Sequence, residues 1–236
     1  MKHTVDIPES ERHPLELGEV ILVDKPLGWT SFNVVSRVRN WAHRQVGRRV
    51  KTGHAGTLDP LASGLLIVCL GRYTKKIEEF QAQKKEYTGT FTIGSVTKSY
   101  DLESEVIPGG DYSHIGDKEI NDAVKRLSGE IMQVPPVFSA VKVQGKRAYQ
   151  YARADRELKL EAKPVTIYEF EITRVELPEI DFRIVCSKGT YIRSIARDFG
   201  ELLGCGAHLS ALRRTKIGSF RVENARNVDE FLSRPE

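Results

Sequence analysis

The sequence predicts an α+β fold, a mixed and largely antiparallel sheet flanked by helices and loops. Alternating apolar and polar residues recur at Tyr87–Ile93, Thr166–Leu177 and Phe182–Cys186, the pattern of half-buried strands. Helical periodicities are interspersed among them, without the regular strand–helix–strand alternation of a parallel sheet. The 236 residues suffice for one large domain, or one domain with a small appendage, and the 40% apolar content argues for a substantial core.

Each element has a local reason. Residues 1–16 are polar and read as a flexible tail. Val20–Val23 is a short apolar strand ended by Asp-Lys-Pro, and Pro26 and Gly28 make a turn. Thr30 or Ser31 then caps a helix with Phe32, Val35, Val38, Trp41 and Ala42 at helical spacing. Residues 52–64, Thr-Gly-His-Ala-Gly-Thr-Leu-Asp-Pro-Leu-Ala-Ser-Gly, form a loop that feeds the apolar run Leu65–Leu70, a buried strand. Thr74 caps a short helix reaching Gln81. Residues 95–116, rich in Gly, Ser and Asp, loop out.

Ile120, Val124 and Leu127 mark a helix closed by Gly129. Gln133-Val-Pro-Pro is extended, Phe138–Val143 is strand-like, and a short helix runs through Tyr149 and Tyr151. Pro178 separates two alternating segments, which makes them neighbouring antiparallel strands. Gly189–Leu203 is a helix capped at Thr190 and stopped by Gly204, and Leu209–Arg214 returns as a strand. Ile217–Val222 reads as a last strand and Val228–Leu232 as a last short helix.

Charge and composition narrow the function. No apolar run approaches the roughly 20 residues that span a bilayer. The opening residues MKHTVDIPESERHP carry acids and match neither a signal nor a transit peptide, so the expected compartment is cytoplasmic, with no membrane. Cys69, Cys186 and Cys205 are an odd, scattered set, expected as reduced thiols. The net charge is +4, but no carboxylate lies between Asp24 and Asp59, while Lys25, Arg37, Arg39, Arg44, Arg48, Arg49 and Lys51 do. Such a stretch suits a polyanion, or is simply a solvated helix face. Further basic groups recur at Arg72, Lys75, Lys76, Lys84 and Lys85 and at Arg213, Arg214 and Lys216, while residues 101–122 are mostly acidic. The asymmetry favours one nucleic-acid face.

The loop at 52–64 surrounds a single carboxylate, Asp59, with three glycines and one proline. A lone acid between a turn-forming segment and a buried strand is a candidate reactive group, or an Asp-Pro turn initiator. The loop lacks the Gly-Lys-Ser/Thr ending of a phosphate-binding P-loop. Cys205 and His208 form a lone Cys-x-x-His, short of the four ligands of structural zinc, so no metal is expected.

Five blocks in order carry a resemblance: DKPLGWTSFNVV at 24–35, GHAGTLDPLASGLLIVCLGRYTKK at 53–76, KKEYTGTFTIG at 84–94, VPPVFSAVKVQGKRAYQYAR at 134–153 and CSKGTYIRSIARDFGELLGCGAHLSALRRT at 186–215. Together they resemble the TruB family of pseudouridine synthases over most of residues 18–215. The resemblance implies a pseudouridine synthase fold and an isomerase of tRNA processing acting on uridine 55 of the T arm. Such an enzyme breaks the bond between a uracil nitrogen and ribose, rotates the base and rejoins it through carbon 5. Only the proton on that carbon leaves, so no cofactor is implied.

By resemblance the catalytic residues are Asp59, the nucleophile, Tyr87, which stacks on the base and is a candidate acceptor of the carbon 5 proton, and Arg193, which pairs with Asp59. Tyr191 contacts the substrate, Leu212 lies beside the base, and His54 stacks within the tRNA arm and helps hold the base flipped out. Lys25 and Pro26 brace the catalytic loop. Read without the family, Tyr87, Tyr191 and Leu212 are ordinary core residues and Arg193 a surface arginine, and Arg197 competes for the same face. Whether Asp59 attacks the base or the sugar carbon stays open.

The expected organisation is a tail at 1–16, a catalytic domain at 17–215 and a short extension at 216–236, too short for the small C-terminal RNA-binding domain of the PUA type that bacterial members of the family commonly carry. The implied partner is tRNA, with the chain a monomer needing no protein partner. Two alternatives remain: a guide-RNA-dependent synthase of the dyskerin type, and a non-catalytic tRNA-binding or folding protein.

Overall fold

The computed structural model describes residues 8, 11–139, 142–143, 146–147 and 160–231. It divides into two compact units, residues 1–83 with 214–236 and residues 84–213. The helix expected through Tyr149 and Tyr151 lies outside the described residues.

Within the stretch expected as a tail, Pro14–Leu17 is helical. His13 caps helix α1 (Pro14–Leu17): its side chain accepts from the Leu15 amide while Glu16 accepts from the His13 amide, and Leu15 is buried. Strand β1 (Glu19–Lys25) leads through the Pro-Leu-Gly turn to helix α2 (Ser31–Val46). Thr30 is its cap, accepting from the Asn33 amide at 3.1 Å while Asn33 accepts from the Thr30 amide at 2.8 Å. Val34, Val38 and Ala42 bury one stripe of α2, and Gly47 ends it in the left-handed region at φ +74°.

Strand β2 (Thr52–His54) pairs with strand β3 (Ala62–Leu70), which is also antiparallel to β1. Every residue from Leu65 to Leu70 is fully buried, which explains an apolar run with no alternation. A 3₁₀ turn at Gly71–Lys76 then precedes helix α3 (Ile77–Ala82). Thr74 is not a cap, because its hydroxyl donates to the Gly71 carbonyl inside that turn.

In the second unit, strand β4 (Lys85–Ile93) is followed by a hairpin where a loop was expected: β5 (Ser95–Thr97) pairs with β6 (Val106–Pro108). The polar sequence of this hairpin hid strands that are only three residues long. Helix α4 (Asp117–Arg126), strand β7 (Gly129–Gln133) and the short pair β8 (Lys142–Val143) and β9 (Lys146–Arg147) follow. Strands β10 (Lys163–Glu176) and β11 (Glu179–Cys186) are the predicted antiparallel neighbours. Hydrogen bonding orders this part of the sheet β4-β11-β10-β7.

Helix α5 (Ile192–Leu203) starts later than predicted. The Thr190 hydroxyl donates to the Ser187 carbonyl, and the helix start is instead held by Gln133, whose side chain accepts from the Tyr191 amide at 2.8 Å and donates to the Tyr191 carbonyl at 3.1 Å. Phe199 of α5 packs on Phe91 of β4, with ring centroids 5.3 Å apart, and Phe91 stacks on Phe182 of β11 at 4.1 Å.

Strand β12 (Ala207–Ile217) belongs to the second unit up to Arg213 and to the first from Arg214. The strand expected at 217–222 is a tight hairpin, in which β13 (Phe220–Arg221) folds back on Lys216 and Ile217. Strand β14 (Arg226–Asn227) adds a parallel edge to β1, and a 3₁₀ turn at Val228–Phe231 sends Phe231 against Trp41 of α2, with centroids 5.5 Å apart. The sheet is thus mixed and mostly antiparallel. The three cysteines are free and buried, and no described helix is long and apolar enough to cross a membrane.

Candidate active site

Asp59 lies between two anchored neighbours. On one side, the buried Ser31 hydroxyl accepts from the Leu58 amide at 2.9 Å and donates to the Leu58 carbonyl at 3.2 Å. On the other, the Pro60 carbonyl accepts from the Gly28 amide at 2.8 Å and from Lys25 Nζ at 3.5 Å. The Asp59 carbonyl itself accepts from the Ala62 amide at 3.1 Å. The start of α2 and the turn before it therefore fix the backbone that presents this carboxylate.

Lys25 is fully buried at the end of β1 and also donates to the carbonyls of Pro26 at 2.9 Å and Trp29 at 2.5 Å. Burial lowers its pKa to about 8, with Asp59 pulling it up and Arg214 pushing it down. Lys25 is thus the loop brace implied by its motif.

Arg214 holds the far side of the loop. Its Nε donates to the Leu65 carbonyl at 2.8 Å, and its terminal nitrogens reach the carbonyls of Gly56 at 3.1 Å and Thr57 at 3.5 Å. Only 1% exposed, it is no phosphate contact, which corrects the surface role expected of Arg214 within its basic group. Gly64 is required beside it: at φ +104° its Cβ would lie 2.3 Å from the Arg214 carbonyl oxygen.

His54 sits at the end of β2, opposite Val68. Burial lowers its pKa, with the Gly56 backbone opposing and Arg214 reinforcing, which favours the neutral ring. His54 and Asp59 thus belong to the same unit, with Lys25, Ser31 and Arg214.

The other predicted residues belong to the second unit. Tyr87 is 9% exposed, opposite Ile184, on the face of β4 that also carries Phe91 and Ile93. Tyr191 immediately precedes α5, with its backbone gripped by Gln133. Arg193, in the first turn of α5, is buried. It donates to the carbonyls of Ser99 at 3.3 Å and Phe138 at 3.0 Å, and its Nε lies 3.6 Å from the buried Asp101 carboxylate. It is therefore not a surface arginine. Arg197 donates from Nε to Asp198 at 2.7 Å and lies over the Tyr100 ring at 5.1 Å. Leu212 is half-buried in β12.

Sequence reasoning missed Ser31 as an anchor, Arg214 as a clamp, and Asp101 as a carboxylate facing Arg193. Ser31 and Arg214 lie inside the quoted blocks, but burial and hydrogen-bond partners leave no mark on a short motif. His208, half of the lone Cys-x-x-His, is buried with Nδ1 3.2 Å from Ser95 Oγ.

Residues 44–192 match the TruB family pseudouridylate synthase N-terminal domain, and residues 193–234 match the tRNA pseudouridylate synthase B C-terminal domain. A tRNA pseudouridine synthase B from Flavobacterium johnsoniae is 54% identical over 91% of this chain and 94% of its own length. Another from Phocaeicola vulgatus is 51% identical over 91% and 92%. Among solved structures, a chain of a Cbf5-Nop10-Gar1 complex matches with a TM-score of 0.69 and 31% identity. The match covers 91% of this chain but only 54% of that one, so this chain spans about half of that protein. Family match and close relatives together place this chain in the TruB family of pseudouridine synthases.

Proposed function

We propose that this chain is a stand-alone tRNA pseudouridine synthase that converts uridine 55 of the T arm into pseudouridine, with Asp59 as the nucleophile. The observation that carries the reading is the anchoring of both neighbours of Asp59, by Ser31 at Leu58 and by Gly28 and Lys25 at Pro60. A nucleophile that must meet one carbon of an extruded nucleotide gains from a backbone that does not move, since a displacement of about 1 Å can cost ~100-fold in rate.

In the proposed reaction, Asp59 attacks the base or the sugar carbon of the flipped uridine, and the bond between the uracil nitrogen and ribose breaks. The base turns, carbon 5 bonds to the ribose, the bond to Asp59 breaks so that the carboxylate is released, nitrogen 1 of the uracil takes up a proton, and the carbon 5 proton leaves to an acceptor, the role assigned to Tyr87, which also stacks on the ring. Arg193 is assigned as the cation that pairs with Asp59, Tyr191 and Leu212 as substrate contacts, and His54 as a stacking partner that keeps the base out. The catalytic domain is assigned to 17–215, and the chain acts in the cytoplasm as a monomer without protein partners. Close identity to proteins named tRNA pseudouridine synthase B supports the tRNA substrate.

The test is tritium release from a tRNA transcript labelled at uracil carbon 5, with purified chain and nothing else. Release is expected at one site, uridine 55. Asp59→Asn is expected to abolish release yet bind tRNA normally, and full activity in that variant ends the nucleophile assignment. Release that requires added guide RNA and proteins would favour the dyskerin-type alternative.

A further inference from the structure

Trp29, Asn33, Ser36, Arg37 and Asn40, with Gly28, line an open groove of about 460 Å³ along one side of α2. Beside it, Phe32 and Leu27 are each 64% exposed, two large apolar side chains at the same helix start. The Arg37 guanidinium lies 5.7 Å from the Trp29 ring centroid, and that of Arg39 lies 5.8 Å from the Phe32 ring.

The basic stretch of the sequence divides here. Lys25 is buried, Arg48 pairs with Glu16 at 2.6 Å, and Arg44 donates to the Phe231 carbonyl at 2.9 Å. Arg37 instead lies over the Trp29 ring in the groove lining, and Arg39, which donates to the lining Ser36 at 3.4 Å, lies over the Phe32 ring beside it, in an interval without any carboxylate between Asp24 and Asp59. Exposed rings, guanidiniums and side-chain amides together suit a nucleotide chain: rings for a base, cations for phosphate, amides for base edges or sugar hydroxyls. An acidic peptide would use only the cations.

The groove is tied to the site within the same unit. The amide of Gly28, its end residue, donates to the Pro60 carbonyl, and the Trp29 carbonyl accepts from Lys25. We propose that this groove is an RNA subsite that holds the strand next to the uridine presented to Asp59. One flanking base lies against the Phe32 or Trp29 ring, and its phosphate is bound by Arg37 and Arg39. The proposal rests on the reading of Asp59 as the residue that receives the target uridine.

The test measures binding of a T-arm RNA hairpin at several salt concentrations in the Asp59→Asn background, so that turnover does not interfere. Arg37→Gln and Phe32→Ala change exposed side chains, and melting curves check that both fold. Arg37→Gln is expected to weaken binding roughly threefold to tenfold and to reduce the salt slope by about 1, as loss of one phosphate contact does. Phe32→Ala is expected to weaken binding about fivefold or more with the slope unchanged. With Asp59 intact, both should raise the RNA concentration that gives the half-maximal single-turnover rate, by the same factor as they weaken binding.

A folded double variant that binds with wild-type affinity and slope overturns the proposal. If that variant instead loses self-association in sedimentation while binding RNA normally, the groove is a contact between copies of this chain. Failure of the catalytic reading shows separately, as absence of tritium release from the wild-type chain.

Discussion

The Ser31 hydroxyl accepts from the Leu58 amide and donates to the Leu58 carbonyl, so one buried oxygen satisfies both backbone groups of the residue before Asp59. A helix start and the loop 27 residues away are thereby locked in one register. Leu58 is itself buried, so its amide and carbonyl have little access to water.

Ser31→Ala should orphan both groups. A buried unsatisfied group costs about 1–3 kcal/mol, so the variant is expected to be destabilised by roughly 2 kcal/mol in urea unfolding. Its single-turnover rate should fall about tenfold or more, with tRNA affinity nearly unchanged, because the loss is of carboxylate position. Wild-type kinetics in a destabilised Ser31→Ala would show that Asp59 does not depend on this anchor.

Lys25 gives a pH signature. Its folded pKa is lowered to about 8 from the usual 10.5, mainly by burial. Between those values the unfolded chain keeps a proton that the fold has shed, so raising the pH favours the folded state. Below pH 8 both states are protonated and the contribution is flat. The stability difference between wild type and Lys25→Met should therefore move in favour of wild type between pH 8 and 10.5, by up to about 3 kcal/mol. Urea titrations at pH 7.5 and 10 measure it, and a gap independent of pH would contradict the burial of a charged Lys25.

Strands β3, β4, β10 and β11 were legible because burial writes itself as alternation or as an unbroken apolar run. The hairpin at β5–β6 was not, because three-residue strands in a Gly- and Ser-rich segment carry no periodicity. The late start of α5 was missed for a related reason: the backbone of Tyr191 just before it is held by Gln133, which is remote in sequence. At the site, Asp59 stood out as a lone acid among glycines. Arg214 did not, since an arginine that bonds carbonyls in the core reads the same as one that binds phosphate.

Arg193 and Asp101 are both nearly fully buried, with Nε 3.6 Å from the carboxylate. Removing one partner of a buried pair leaves an uncompensated charge, at a cost of about 3–5 kcal/mol. Asp101→Asn should therefore destabilise the fold by about 3 kcal/mol, and Asp101→Ala by at least as much. If Arg193 also acts on Asp59, the surviving Asp101→Asn enzyme should show a lowered single-turnover rate. An unchanged rate would confine Asp101 to folding.

Arg214 separates clamping from charge. Three carbonyls, of Gly56, Thr57 and Leu65, accept from one guanidinium, and hydrogen bonds to a charged donor contribute about 1.5–3 kcal/mol each. Arg214→Met should lose most of that and leave buried carbonyls unpaired, so a loss of about 3 kcal/mol or more is expected in urea. Arg214→Lys keeps the cation near Lys25 but cannot reach three carbonyls with one ammonium. If Arg214 serves by shape, the lysine variant should be nearly as slow as the methionine variant in single turnover. If it serves by charge, lysine should restore the rate, and Lys25→Met should behave differently in the two backgrounds. Because Arg214 lowers the pKa of Lys25, Arg214→Met should also move the Lys25 transition to higher pH than in wild type.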